Sequence, residues 1–243
     1  MTSLAAVPDF DRRASQYEQH AQVQRRAARW LAEWVPARVE GPALELGAGT
    51  GLFTQYIASA SDQLLATDIS TRMVETGSRK LSKPRWLVSD ANKPPADCAY
   101  RWIFSCSLAQ WLTNPEAALA RWRSVAAPGA HLVAGWFILG TMQELLERCP
   151  ETSVMQWRSA EEWLDILQRS GWTTQRHDTC HFPMQHPDTT SLLRDLHNLG
   201  AVVPRRLTTS QLRRVIRVHD QHHRVDGVVT TPFVFMRVEA TNQ

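Results

Sequence analysis

Short apolar runs alternate with amphipathic stretches over the first part of the chain. Residues 43–46, 63–67, 85–88, 101–106 and 130–137 are apolar runs of strand length, the second closing on Asp68 and the third near Asp90. Between them, residues 52–60, 70–80 and 114–125 read as helices, with Ser70 as the cap of the second. Such alternation predicts a parallel sheet with helices on both faces. Upstream, Phe10, Ala14, Tyr17, Ala21, Ala28, Leu31 and Val35 recur at three- and four-residue steps, with Gln24 filling the gap. Residues 9–35 therefore predict one helix or two, capped by Asp9 or Asp11 and stopped by Pro36.

The alternation then lapses. Residues 139–158 read as an inserted helical segment. Ser159 caps a helix reaching Ser170, with Glu162 completing a capping box. Residues 172–182 predict a strand, 186–224 more helix broken at Gly200-Ala201 and Pro204, and 228–239 a final strand with Pro232 at its start. Three helical additions, able to close over one face of a core sheet, suggest a lid.

Composition narrows the class. The chain has 243 residues, 43% apolar and 21% charged, as expected of a soluble globular domain. A net charge of +3 gives no reason to expect nucleic acid. Cys98, Cys106, Cys149 and Cys180 form no CxxC pair and no metal-ligand spacing, so reduced thiols and no metal are expected. Met1-Thr2-Ser3-Leu4 carries no signal pattern, and no apolar run approaches the ~20 residues of a membrane span. A cytoplasmic protein is expected. Ten Trp residues supply core area or line a pocket.

The candidate chemistry lies at Leu44-Glu45-Leu46-Gly47-Ala48-Gly49-Thr50-Gly51, a turn joining a buried strand to a helix. Glycines there allow positive φ and close approach of a ligand to the backbone. A dinucleotide site wants GxGxxG, but Leu52 stands where the third Gly would fall. Glu45 beside the turn disfavours a pyrophosphate and suits the ammonium and sulfonium of S-adenosylmethionine. Asp68 can accept from ribose hydroxyls. Asp90 can accept from an adenine amino group, with the Ala91 N–H donating to the ring.

These three elements resemble the first motifs of class I methyltransferases. Residues 10–24, Ser105-Cys106-Ser107-Leu108-Ala109-Gln110-Trp111, Gly140-Thr141-Met142-Gln143-Glu144-Leu145 and the segment 193–201 are similar to the malonyl-carrier-protein O-methyltransferases of biotin synthesis, the BioC type. The likeness runs from about residue 10 to 238. Arg101-Trp102, Ala130 and residues 229–233 depart from the pattern, the last on the acceptor side. The resemblance implies a Rossmann-like α/β fold: a seven-stranded, mostly parallel sheet with an antiparallel last strand. It also implies an N-terminal helical arm at 1–36 and a methyltransferase domain at 37–243, with lid insertions at about 139–158 and 186–225. The cofactor would be S-adenosylmethionine, held by Tyr17, Gln24, Glu45, Gly47, Ala48, Gly49, Asp68, Ile69, Met73, Asp90, Ala91, Ser105 and Leu108. Tyr17 would be the active-site residue, oriented by His20. Gln110-Trp111 are candidates to line the pocket. Arg194, Arg148 or Arg123 would meet the acceptor carboxylate. The acceptor would be malonyl-acyl carrier protein, an acidic partner suited to the basic lid residues Arg205, Arg206, Arg213, Arg214, Arg217 and Arg224. A monomer is expected.

Other readings compete: a methyltransferase for another small acid or hydroxyl, a non-catalytic S-adenosylmethionine-binding protein, an NAD enzyme, and a nucleic-acid methyltransferase. Leu52 and Glu45 count against NAD. Asn114-Pro115-Glu116 is not the Asn/Asp-Pro-Pro-Tyr/Phe motif of the last.

Overall fold

In the computed structural model, which describes residues 11, 17–148, 155–199 and 208–243, the alternation becomes a doubly wound sheet. The strands are β1 (Ala43–Leu46), β2 (Leu64–Asp68), β3 (Arg85–Val88), β4 (Tyr100–Cys106), β5 (Ala126–Phe137), β6 (Thr173–His181), β7 (Met184–His186), β8 (Arg224–Val225), β9 (Val228–Thr231) and β10 (Val234–Thr241). The helices are α1 (Gln22–Ala32), α2 (Thr54–Ala60), α3 (Thr71–Lys80), α4 (Pro115–Ser124), α5 (Gln143–Arg148), α6 (Ala160–Arg169), α7 (Thr189–Leu199) and α8 (Thr209–His223). Among the described residues, seven strands form one sheet in the order β3-β2-β1-β4-β5-β10-β6, and β7-β9-β8 form a small second sheet. β1 to β5 pair in parallel, while β10 runs antiparallel between β5 and β6. The expected fold class and its antiparallel last strand are therefore present.

The strand order reverses between β1 and β4. The carboxyl ends of two parallel strands part there and leave a crevice above the sheet, where ligands bind in such folds. Two cores flank the sheet. One joins α1 and α2 to Phe104, Phe137 and Phe235 and to lid residues Leu145, Leu192 and Val215. The other packs α4 and α6 on Leu44, Ile103 and Met236. Trp122, Trp136, Trp163 and Trp172 are fully buried in this second core, so much of the tryptophan content serves packing. Arg237 docks α1 on β10: its guanidinium donates to the Trp30 carbonyl at 2.6 Å and to Glu33 at 2.9 Å, and lies 3.8 Å from the Trp30 ring centre.

Several boundaries differ from the sequence expectation. The arm is two helical pieces, residues 17–20 and α1, parted at Ala21. Asp11 serves another helix than its own, accepting from Ser70 Oγ and the Arg72 N–H at the start of α3. α2 starts at Thr54 rather than at 52. β5 begins at Ala126 rather than at 130, because Ala126 pairs with Tyr100 and Asn242 Nδ2 donates to the Ala127 carbonyl at 3.0 Å. The inserted segment 139–158 is helical at α5, and residues 155–158 have no regular secondary structure. The expected strand 228–239 is two strands in two sheets. Pro232 lacks a donor, and the chain changes sheets there: Met142 N–H donates to the Pro232 carbonyl at 2.7 Å, and Phe233 and Phe182 exchange backbone hydrogen bonds. Asp9 as a cap, the Gly200-Ala201 and Pro204 break, and Arg205 and Arg206 lie outside the described residues. No helix among the described residues is long and apolar enough to cross a membrane.

The approach of β10 to β5 is tight at Gly135. A Cβ there would lie 2.9 Å from the Met236 carbonyl oxygen and closer still to the Phe235 ring. Gly135→Ala should therefore destabilise the protein by about 1–3 kcal/mol in urea unfolding; an unchanged midpoint would contradict the packing described.

Candidate functional site

The crevice at the strand reversal opens into a cavity of about 290 Å³. Its floor is the Gly turn after β1. Gly47 has φ +72°, and a Cβ on it would press within 3.0 Å of the Leu108 side chain. Gly49 has φ +56° and open space where a Cβ would stand, while its N–H donates to Asp68 Oδ2 at 2.8 Å. Both positions need the conformation glycine adopts without penalty, and both leave backbone facing the cavity. Asp68 also accepts from the Ser70 N–H at 2.9 Å, which ties the turn after β1 to the end of β2. Buried hydroxyls stitch the strand ends together: Thr67 Oγ1 donates to the Glu45 carbonyl and Ser105 Oγ to the Leu46 carbonyl.

Tyr17, Gln24, Glu45, Gly47, Ala48, Gly49, Asp68, Ile69, Met73, Asp90, Ala91 and Leu108 all line this cavity, so the tertiary fold brings them together from six segments of chain. Two of the expected residues lie elsewhere. Ser105 is fully buried beneath the cavity and closes the sheet through its bond to Leu46. His20 faces the lid, with Nδ1 3.0 Å from Asp195 Oδ1. Asp90 Oδ1 accepts from the Asn92 backbone and side chain at 2.8 and 3.0 Å, an Asx turn that shapes this part of the cavity wall. Gln110 and Trp111 line the wall.

Sequence reasoning missed other wall residues. Ala28 reads as part of the arm's apolar face, and Phe53 carries no polar group that would mark it as a site residue. Cys106 ends β4 and Ser107 follows it; Ser107 has φ +59°, an uncommon conformation for a non-glycine residue, and its N–H donates to the Gly135 carbonyl at 2.8 Å. Met155 and Gln156 arrive from the lid segment, and nothing in their local pattern announces it.

The electrostatics are one-sided. Glu45 is 1% exposed, and burial pushes its carboxyl up to about 8; the nearby Asp68 carboxylate adds to the rise and the Thr54 hydroxyl opposes it. Burial also raises Asp68, against the hydrogen bonds from Ser70 and Gly49. The Cys106 thiol is pushed up to about 12 by burial. Burial, with the Cys106 thiol and Asp68 nearby, raises the Tyr17 phenol and keeps it protonated. Glu45 Oε2, Gln24 Oε1 and Gln110 Oε1 are buried acceptors with no hydrogen-bond partner among the described residues. No Lys, Arg or His is among the described lining residues. Such a cavity wants a ligand rich in donors and positive charge. S-Adenosylmethionine carries an ammonium, a sulfonium, two ribose hydroxyls and an adenine amino group, and fits that demand. A pyrophosphate does not.

Comparison with known proteins agrees. Residues 44–134 match the family model described as methyltransferase domain. The chain is 34% identical to the biotin biosynthesis bifunctional protein BioCD of Bordetella avium over 93% of its own length, and spans about half (50%) of that protein. It is 26% identical to the malonyl-acyl-carrier protein O-methyltransferase of Serratia marcescens, covering 81% of this chain and 78% of that one. The YcgJ protein of Bacillus subtilis shares the fold, with a TM-score of 0.69 at 12% identity over 90% of this chain and 98% of that one. Residues 44–134 are thus similar to a methyltransferase domain, and the lining of the cavity fits S-adenosylmethionine.

The state of Glu45 makes the cofactor fit testable. A carboxyl near 8 is mostly protonated at pH 7, and a cation beside it draws it back toward its ordinary 4.5. Binding should then release up to one proton at pH 7, and affinity should rise with pH up to about 8. Calorimetry in two buffers of different ionisation enthalpy measures this, and Glu45→Gln should abolish it. Since the raised pKa means the folded state holds its proton more tightly than the unfolded state, stability attributable to Glu45 falls as pH rises from 4.5 to 8. Glu45→Gln should therefore raise the melting temperature of the ligand-free protein at pH 8 while weakening the cofactor. A buffer-independent binding heat in the unsubstituted protein would contradict this account.

Proposed function

We propose that this chain, carrying a class I S-adenosylmethionine-dependent methyltransferase domain, methylates the free carboxylate of malonyl-acyl carrier protein in the cytoplasm. The observation that carries the reading is the arm. The segment that resembles the malonyl-carrier-protein methyltransferases delivers Tyr17 and Gln24 into the same cavity as Glu45 and Asp68. The names of the relatives from Serratia marcescens and Bordetella avium support the same pathway.

When bound, S-adenosylmethionine supplies an electrophilic methyl group on a sulfonium. Glu45, Gln24 and Gln110 would hold its amino-acid end through their buried acceptors, Asp68 the ribose, and Asp90 with Ala91 the adenine. A malonyl carboxylate, with an intrinsic pKa of about 4, is ionised at neutral pH and needs no general base. Tyr17, kept protonated, donates a hydrogen bond to the acceptor and orients it. Alignment in a cavity closed to water then carries the rate.

Arg123 and Arg194, two of the three cations considered for the malonyl group, are not described lining residues of the cavity. Arg123 packs against Gly171 and donates to the Gln243 carbonyl at 3.1 Å, away from the cavity. Arg194 is not among the described lining residues, and the side chain of Arg148 lies outside the description. The sulfonium itself would meet the carboxylate charge. The same observation favours a second reading, in which the acceptor is an uncharged hydroxyl of a small molecule.

On α8, Arg213, Arg214 and Arg217 are exposed and make no ion pair with described residues. They are the proposed docking surface for an acidic carrier protein.

Labelled S-adenosylmethionine with malonyl carrier protein should give a base-labile methyl ester; acetyl carrier protein should give none. Label on hydroxyl acceptors alone would replace the first reading with the second. Tyr17→Phe should lower kcat by about 10–100-fold, the loss of a hydrogen bond made to the reacting group. Arg213→Glu with Arg214→Glu should raise KM for malonyl carrier protein and spare malonyl-coenzyme A. Equal effects on both substrates would remove the docking role.

A further inference from the structure

The arm turn that carries Tyr17 is held by polar contacts from two sides. On one side, Asp11 accepts from Ser70 Oγ and Arg72 N–H at the start of α3, and Glu18 pairs with Lys80 at its end. On the other side, a single carboxylate gathers two imidazoles. Asp195 Oδ1, on lid helix α7, lies 3.0 Å from His20 Nδ1, and Asp195 Oδ2 lies 3.3 Å from His186 Nε2 on β7. Asn198, one turn further along α7, donates from Nδ2 to His20 Nε2 at 3.2 Å. Because an amide nitrogen only donates, Nε2 is the bare nitrogen of His20, and Nδ1 carries the hydrogen given to Asp195. His186 is buried, and burial lowers its pKa against the pull of Asp195.

Residues 17–20 are half-buried or exposed, and the lid carboxylate meets this turn through His20. His20 is three residues from Tyr17, close to the same face of one helical turn. We infer that Asp195 is a positioning residue for the cofactor site: it clamps His20, and through it the turn bearing Tyr17, so that arm and lid close together and the spent cofactor leaves when this clamp opens. The inference rests on the cofactor reading of the cavity and is independent of the acceptor.

Stopped-flow release of S-adenosylhomocysteine from the full chain tests it. Asp195→Ala and His20→Ala should each speed release about tenfold, as expected for losing a hydrogen bond to a charged group. The double variant should be no faster than either single one. Asp195→Asn keeps one acceptor for the His20 N–H and should fall between. The melting temperature of the ligand-free protein should change little, since His20 stands on the arm rather than in either core; this variant keeps the test valid if Asp195→Ala fails to fold. Unchanged release rates would overturn the inference. So would equal acceleration by Glu116→Gln, which breaks a distant surface pair with Arg169. A protein that binds S-adenosylhomocysteine but methylates no malonyl thioester would still show the expected rates. One that binds none would overturn the cofactor reading and this inference with it.

Discussion

Glu45 is a carboxylate carried into the interior by a strand whose four residues are all buried. Neighbouring strands leave it no room to reach water, and a second carboxylate, Asp68, stands close by. Taking such a group out of water is costly unless a cation or donor meets it. No described residue of the cavity wall supplies the cation. The protein therefore holds an unfavourable arrangement that a positively charged ligand relieves. Much of the surrounding architecture serves to keep that arrangement in place: hydroxyls stitch the strand ends, glycines expose backbone, and Asp68 fastens the loops to one another.

The arm and lid complete what the sheet begins. A cofactor seated only on the strand ends would face solvent on its methyl side. Tyr17 and Gln24 come from the arm and Met155 and Gln156 from the lid segment, so each addition contributes wall to the same cavity. The arm's core-facing helix is fixed by apolar packing and by Arg237 between Trp30 and Trp34. Its preceding turn is held by ion pairs and hydrogen bonds, which water can replace at small cost. A releasable turn leading into a rigid helix is a reasonable construction for a site that must admit one ligand and expel another.

The second sheet shows how a single residue redirects the chain. Val228–Thr231 and Val234–Thr241 alternate as one strand would, yet they belong to different sheets. Pro232 breaks the ladder, and the exchange between Phe182 and Phe233 carries the chain across. Residues 229–233, where the sequence departs from the resembling family, lie in this crossing.

Periodicity and turn chemistry by themselves determined the strand–helix alternation, the Gly turn and the carboxylates at strand ends, because each depends on neighbours a few residues away. Glu45, Asp68 and Asp90 were legible as a set because parallel strands must end on one side of a sheet. The Ser159–Glu162 capping box was legible for the same local reason. Only the tertiary structure decided which residues share the cavity with them. Ser105 lies near the end of the strand that Leu108 follows, but the two-residue alternation of a strand turns it into the sheet, where it bonds the Leu46 carbonyl. His20 lies one turn from Tyr17, but it is met by a carboxylate 175 residues away, and that meeting turns it toward the lid. Met155 and Gln156 enter the wall because the lid segment folds back over the crevice. Such pairings are fixed by how surfaces pack across large separations in sequence, and no local pattern records them.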